Sequence, residues 1–311
     1  MRVQPATGRL AERRKMPGRR VARCRRTGHD RRHGSSPALP IVTAADLRAM
    51  LAARRVTHVP GVYDPASAAL AVAAGHRALY LSGAAISATM LGRPDLDFVP
   101  ATQMADRAAV LGPARGGVPL LADAAGGYDS PEHAVWTALA YHRAGVGGLV
   151  LGDGADARPA VERVAALVEQ VPQLMLIAQA RGRDLDETIE RCRAYAAAGA
   201  DAVLAADVQT ADDVAVIGAA LPGVHLVVSR SQNATGGRRG IDAKLADLGV
   251  RLVLHPLAAV LAALRAASLV YRAIADEGDA ERVDRMPLAV LATLTEASGL
   301  AAGPAMDRID T

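Results

Sequence analysis

From Thr43 onward the chain repeats one unit, a short apolar run followed by a longer helical pattern, and it does so eight times. The apolar runs are His58–Val62, Ala78–Ser82, Val118–Asp123, Gly148–Gly152, Leu174–Ala178, Ala202–Ala206, His225–Ser229 and Arg251–His255. Helical segments follow them, among them Asp64–Ala74, Ser130–Arg143, Asp184–Ala198 and Pro256–Ala275, and Thr43 with Asp46 offers a cap for a first helix through Arg54. Asp64-Pro65 places an N-cap before an N1 proline. Gly75, Gly145, Gly199 and Gly249 each stand where a helix should close in a left-handed residue. Near-continuous apolar strands alternating with helices predict a parallel sheet covered on its faces. Eight units are the count of a closed (β/α)8 TIM-type barrel; a doubly wound open sheet is the alternative.

Charge divides the chain unevenly. Residues 1–33 carry twelve Arg or Lys against Glu12 and Asp30, whereas the remainder has 24 basic and 30 acidic residues. The body is therefore mildly acidic, and the basic balance belongs to the tail. Residues 1–38, rich in Arg and Gly and without an apolar run, are expected to be disordered, leaving 39–311 as a barrel domain with C-terminal helices. A secretory signal would need an apolar stretch of about 7–15 residues after its charges. No aromatic residue interleaves the arginines, so nucleic-acid contact by the tail is not expected. Cys24 and Cys192 make neither a disulfide framework nor a metal quartet, which points to a reducing, cytoplasmic setting. No stretch reads as a membrane span free of charges and helix breakers.

Barrel enzymes build their sites at the carboxyl ends of the strands. Those positions here are Tyr63, Ser82, Gly83, Asp123, Asp153, Gln179, Arg181, Asp207, Arg230 and His255. Carboxylates, guanidiniums and an imidazole on one rim could bind a small anionic substrate with a metal, although barrel rims are polar in any case. A further candidate is Thr235-Gly-Gly-Arg-Arg-Gly240 after the seventh strand, readable as a phosphate-binding loop or as a surface turn.

Four segments carry a resemblance. Pro60–Pro100 contains a Tyr-Leu-Ser-Gly strand end (Tyr80–Gly83) and Leu-Gly-x-Pro-Asp (Leu91–Asp95). Pro119–Tyr128 reads PLLADAAGGY, Glu190–Asp201 contains Glu-Arg, Ala-Tyr and Ala-Gly-Ala-Asp, and Leu254–Ala267 reads LHPLAAVLAALRAA. In order and register, from Leu47 to Gly278, the chain resembles the isocitrate lyase / phosphoenolpyruvate mutase superfamily. That resemblance implies a small carboxylate substrate held on Mg²⁺, with Asp123 as direct ligand and Asp95 as a nearby acidic position. Asp153 stands where the second residue of a Glu-Asp pair would. Tyr80, Ser82, Gly83 and Ala84 match the substrate-binding strand end and loop. It also implies a homodimer or tetramer formed by exchange of a C-terminal helix, for which Pro287–Ala297 is apolar enough.

The departures are equally specific. The second third-strand aspartate is Ala125, the Glu of the Glu-Asp pair is Gly152, and the fifth-strand Arg is Gln179. The sixth-strand Glu falls on Ala206, with Asp207 beside it, and the mobile loop with its lysines and cysteine is missing between Gly152 and Pro159. Without that cysteine a lyase lacks the acid that protonates its leaving enolate. Two functional expectations follow. One is an enzyme of altered chemistry acting on a 2-oxo or 2-hydroxy carboxylate, with Asp123 on Mg²⁺, Arg181 or Arg230 as carboxylate clamp and His255 as general acid–base. The other is a barrel that no longer catalyses and serves in binding or assembly.

Overall fold

The computed structural model describes residues 44–94, 98–128, 130–153, 157–206, 208, 210–230 and 241–297. Eight parallel strands close into one barrel in sequence order. They are β1 (Thr57–Val62), β2 (Leu79–Leu81), β3 (Leu120–Asp123), β4 (Gly148–Gly152), β5 (Met175–Ala180), β6 (Ala202–Ala205), β7 (Leu226–Ser229) and β8 (Val250–His255). The helices are α1 (Ala44–Ala52), α2 (Pro65–Ala73), α3 (Gly83–Ile86), α4 (Ala101–Leu111), α5 (Pro131–Arg143), α6 (Ala157–Gln170), α7 (Leu185–Ala197), α8 (Ala211–Ala220), α9 (Asp242–Asp247), α10 (Ala258–Glu277) and α11 (Leu288–Ala297). A single π-helical turn, Ser87–Leu91, follows α3. The closed barrel excludes the open sheet. β1 and β8 complete it, with Thr57 opposite Leu252 and Pro60 opposite His255.

Strand alternation sorts the side chains into two cores. Val59, Tyr80, Leu121, Val150, Met175, Ile177, Ala202, Leu204, Val227, Leu252 and Leu254 fill the barrel interior. Leu47, Met50 and Leu51 of α1 join the same cluster and plug its lower end. The opposite faces, including Leu79, Leu81, Leu120, Leu149, Leu176, Val203 and Val253, pack under the helices. With hardly any aromatic residues, stability rests on many buried Leu and Val side chains, each contributing about 1.5–3 kcal/mol. Arg48 holds α1 in place by a forked pair with Asp201, Nε–Oδ1 2.7 Å and Nη2–Oδ2 3.1 Å.

Local signals behave as their chemistry requires. Asp64 caps α2 through Ser67 N–H, and Pro65 opens the helix. Gly75, Gly145, Gly199 and Gly249 all have positive φ, the conformation that ends a helix where other residues are strained. Residues 1–43, including the basic tail and Thr43, lie outside the described residues.

Among the described residues one helix approaches a membrane span, and, as expected, its apolar run is not free of charges, since it carries two arginines. α10 is long and apolar enough to cross a membrane by length and composition, and 6% of its most apolar window is buried. Arg265 and Arg272 interrupt the run in sequence, but seven residues are two helical turns, so both occupy one stripe. Asp276 and Glu277 close the helix, and before them Leu261, Leu264, Leu269, Tyr271 and Ile274 are exposed.

Candidate active site

The centre of the barrel mouth is a tyrosine–aspartate pair. Tyr80 belongs to the interior core, and its hydroxyl donates to Asp123 Oδ2 at 3.0 Å. The backbone N–H of Ala125 donates to Asp123 Oδ1 at 3.0 Å. Tyr141 fixes the strand end from outside by donating to the Asp123 carbonyl at 3.1 Å. Gly83 approaches so closely that a Cβ there would lie 2.7 Å from Asp123 Oδ2. Only glycine lets the backbone after β2 meet this carboxylate. Ser82 is buried, and its Oγ accepts the N–H of Ala85, capping the short α3 that carries Gly83 and Ala84.

The loop after β3 is bent sharply over the end of β4. Ala125 and Tyr128 both adopt positive φ, 45° and 56°. Such a conformation costs an L-residue on the order of 1–2 kcal/mol. Gly152 N–H donates to the Ala125 carbonyl at 2.6 Å, and a Cβ on Gly152 would stand 3.1 Å from that oxygen. The two positions where the resemblance calls for carboxylates are thus joined backbone to backbone. Gln179 continues the inward alternation of Met175 and Ile177 on β5 and lies opposite Gly152 in the ladder. Arg181 follows in the same alternation just past the strand and is exposed.

Three of the expected site residues stand elsewhere, because strand-end position alone does not decide which face a side chain takes. Asp153 follows Leu149 and Leu151 on the outer side of β4, and its carboxylate is 3% exposed. Its Oδ2 accepts from Arg191 Nη1, Tyr195 Oη and the Arg181 N–H, each at 3.0 Å. Arg163 donates to its carbonyl at 3.2 Å. The geometry gives it an internal ion pair in place of a metal. Glu187 completes the network, accepting from Arg191 at 2.7 Å and from the Arg183 backbone and side chain at 2.9 and 2.7 Å. These bonds, the Arg183 N–H foremost, pull its carboxyl down to about 2.

His255 likewise faces away from the interior. Its Nε2 lies 3.0 Å from His58 Nδ1, and His58 Nε2 lies 3.0 Å from Asp242 Oδ2 on α9. Burial, then the neighbouring His58, Arg230 and His76, push the His255 imidazole down to about 4. Arg230 belongs to this outer group, continuing the alternation of Leu226 and Val228. Asp95, Asp207 and the Thr235–Gly240 loop lie outside the described residues. Arg191 and Tyr195 escaped the rim reading because they sit on a helix. Their signal was the Glu190–Asp201 segment, whose Arg and Tyr recur in the family pattern.

Among the described residues no group of three or more His, Cys, Asp or Glu converges as a metal cage. Asp123 is the one candidate ligand on the inner face among them. Magnesium keeps several waters and takes one or two protein carboxylates. Among the described residues the donor set therefore fits an ion carried on Asp123 and completed by substrate and water, with no further carboxylate placed to orient those waters.

Comparison with known proteins shows the family to which this chain belongs. The sequence profile of the family described as phosphoenolpyruvate phosphomutase matches residues 47–275. The 2,3-dimethylmalate lyase of Eubacterium barkeri is 29% identical over 245 residues, 72% of this chain and 83% of that protein. The oxaloacetate decarboxylase of Ectopseudomonas mendocina is 32% identical over 236 residues, 70% of this chain and 80% of its own length. The crystal structure of oxaloacetate acetylhydrolase with its product oxalate superposes with a TM-score of 0.76 at 28% identity, covering 85% of this chain and 96% of that one. The chain therefore belongs to the phosphoenolpyruvate phosphomutase family, within the isocitrate lyase / phosphoenolpyruvate mutase superfamily.

Proposed function

We propose that the protein binds a small 2-oxo or 2-hydroxy carboxylate at the barrel mouth and cleaves or rearranges it through an enolate, without the cysteine acid of the lyases. The observation that carries this reading is the Tyr80–Asp123 pair set against the Gly83 backbone inside the barrel. Tyr80 orients the Asp123 carboxylate, and the Ser82–Ala84 backbone borders the space in front of it. Arg181 takes over the clamp on a substrate carboxylate that Gln179 cannot provide, since an amide carries no charge. Asp123 would hold Mg²⁺, which when bound supplies electrostatic stabilisation to a developing enolate oxygen. Relatives named for dimethylmalate and oxaloacetate support this substrate class. Calorimetric titration with oxalate and Mg²⁺, on the wild type and Asp123→Asn, tests the reading.

The Ala125–Gly152 contact favours a second reading, a barrel that binds without turnover. Backbone fills what outer carboxylates would otherwise occupy, so metal waters lose their orientation. A chain that binds oxalate yet releases no product from any 2-oxo or 2-hydroxy acid would support it.

Assembly and location belong to the proposal too. The exposed apolar residues of α10, with Met286, Leu288 and Val290, would be covered by a second copy of this chain, giving a homodimer or tetramer. Light scattering after size exclusion should find no stable monomer. The reducing, cytoplasmic setting expected from the cysteines fits the buried Cys192, whose thiol burial pushes up to about 12.

A further inference from the structure

We propose that Asp153 is a positioning residue that sets the place of Arg181 at the barrel mouth, acting through the backbone and not through a metal. This rests on the proposed role of Arg181 as carboxylate clamp.

Three successive amides after β5 are each held by a side chain. Arg181 N–H donates to Asp153 Oδ2 at 3.0 Å, Gly182 N–H to Thr188 Oγ1 at 3.0 Å, and Arg183 N–H to Glu187 Oε2 at 2.9 Å. Gly182 is pressed so tightly that a Cβ would lie 2.5 Å from Thr188 N. The acceptors are themselves fixed. Arg191 spans Asp153 and Glu187, at 3.0 and 2.7 Å, with its side chain 8% exposed. Tyr195 adds a third bond to the same Asp153 oxygen. Thus α7 holds the end of β4, and the end of β4 holds the start of the loop that carries Arg181.

A buried ion pair is a poor stabiliser compared with well-packed apolar side chains, so stability alone gives little reason to keep one here. Geometry gives a better one. Three bonds converge on one carboxylate oxygen, and only one of their donors, the Arg181 amide, leads to the mouth. A guanidinium recognises a carboxylate through a planar fork, and a fork works only from a fixed base. The Arg191 and Tyr195 side chains, seemingly remote from the mouth, thereby acquire a function.

The experiment combines hydrogen exchange read by NMR with oxalate titration, on the full chain. Asp153→Asn keeps the shape but replaces a charged acceptor by a neutral amide oxygen, which weakens all three bonds, and it leaves Arg191 paired with Glu187, so the fold should survive. The exchange of the Arg181 amide should accelerate about tenfold or more, and oxalate binding should weaken about tenfold. In an Arg181→Ala background, Asp153→Asn should cause no further loss, because the group it positions is gone. An equal loss with and without the Arg181 side chain would mean a merely structural role and overturn the proposal, as would an unchanged Arg181 exchange rate. Should Asp153→Asn fail to fold, Tyr195→Phe removes one of the three bonds and should show the same coupling at smaller size. A wild type that ignores oxalate defeats the functional reading, and the Arg181 exchange rate then decides the anchoring by itself.

Discussion

The carbonyl of Ala125 accepts the amide of Gly152 at 2.6 Å, so two positions that carry carboxylates in the family pattern are here bonded to each other through the main chain. The two replacements are coupled by space. Gly152 leaves room for the bent loop, and the loop occupies what a side chain at 152 would need.

Ala125 holds a left-handed conformation that aspartate and asparagine tolerate better than alanine. Ala125→Asp should therefore leave the fold within about 1 kcal/mol of the wild type. It should also restore an outer carboxylate beside Asp123, so that Mg²⁺ raises Tm more in the variant than in the wild type. Equal responses to Mg²⁺ would place residue 125 outside any metal's reach.

Gly83→Ala should be costly. The new methyl would stand 2.7 Å from Asp123 Oδ2, and the carboxylate cannot yield without losing Tyr80. Overpacking of this kind costs about 1–3 kcal/mol. Tyr80→Phe, which removes only the hydroxyl, should cost about 1 kcal/mol. Urea denaturation of both variants checks the order of the two effects.

Acid should weaken the seam between β1 and β8. His255 has a folded value of about 4 against 6.5 for a free histidine, chiefly through burial. Between those values the unfolded chain binds the proton and the folded one resists it. Stability present above pH 6.5 is therefore lost as pH falls towards 4. Because the imidazole is only partly buried, the loss is on the order of 1–2 kcal/mol after solvent screening. The urea midpoint should drop between pH 7 and 4.5, and His255→Gln should flatten that slope. Equal slopes in the two proteins would show that His255 titrates normally.

Isocitrate and methylisocitrate should not be cleaved. β4 ends at Gly152 and α6 begins at Ala157, which leaves no room for a mobile loop bearing an acid, and Cys192 is buried on α7. Release of glyoxylate or pyruvate should stay at background in a coupled assay. Turnover near 1 per second, the lower part of the ordinary enzyme range, would show another residue supplying the proton.

The barrel was legible because its signals are local and repeated: apolar runs at Leu120–Ala122 or Val250–Leu254, the Asp64-Pro65 start, the glycines at 75, 145, 199 and 249. The inner site was legible where motif and strand face coincide, as at Tyr80, Asp123 and Gly83. It was not legible at Asp153, Arg230 and His255. These also end strands, but one step along a strand turns a side chain to the other face, and the end of a run does not fix that step. The roles of Arg191 and Tyr195 depend on α7, packed against β5 and β6, reaching Asp153 just past the end of β4, a contact between residues far apart in sequence. The positive φ at Ala125 carries no mark in an alanine.

The central claim is that Asp123 serves a carboxylate site. Oxalate with Mg²⁺, titrated into the wild type and Asp123→Asn by calorimetry with Tm measured alongside, tests it most directly. The account predicts binding and a raised Tm in the wild type. It predicts neither response in Asp123→Asn, which should remain folded with Tyr80 still hydrogen-bonded to the amide oxygen. A wild type that ignores oxalate and Mg²⁺ at millimolar concentration, with Asp123→Asn merely less stable, would contradict it.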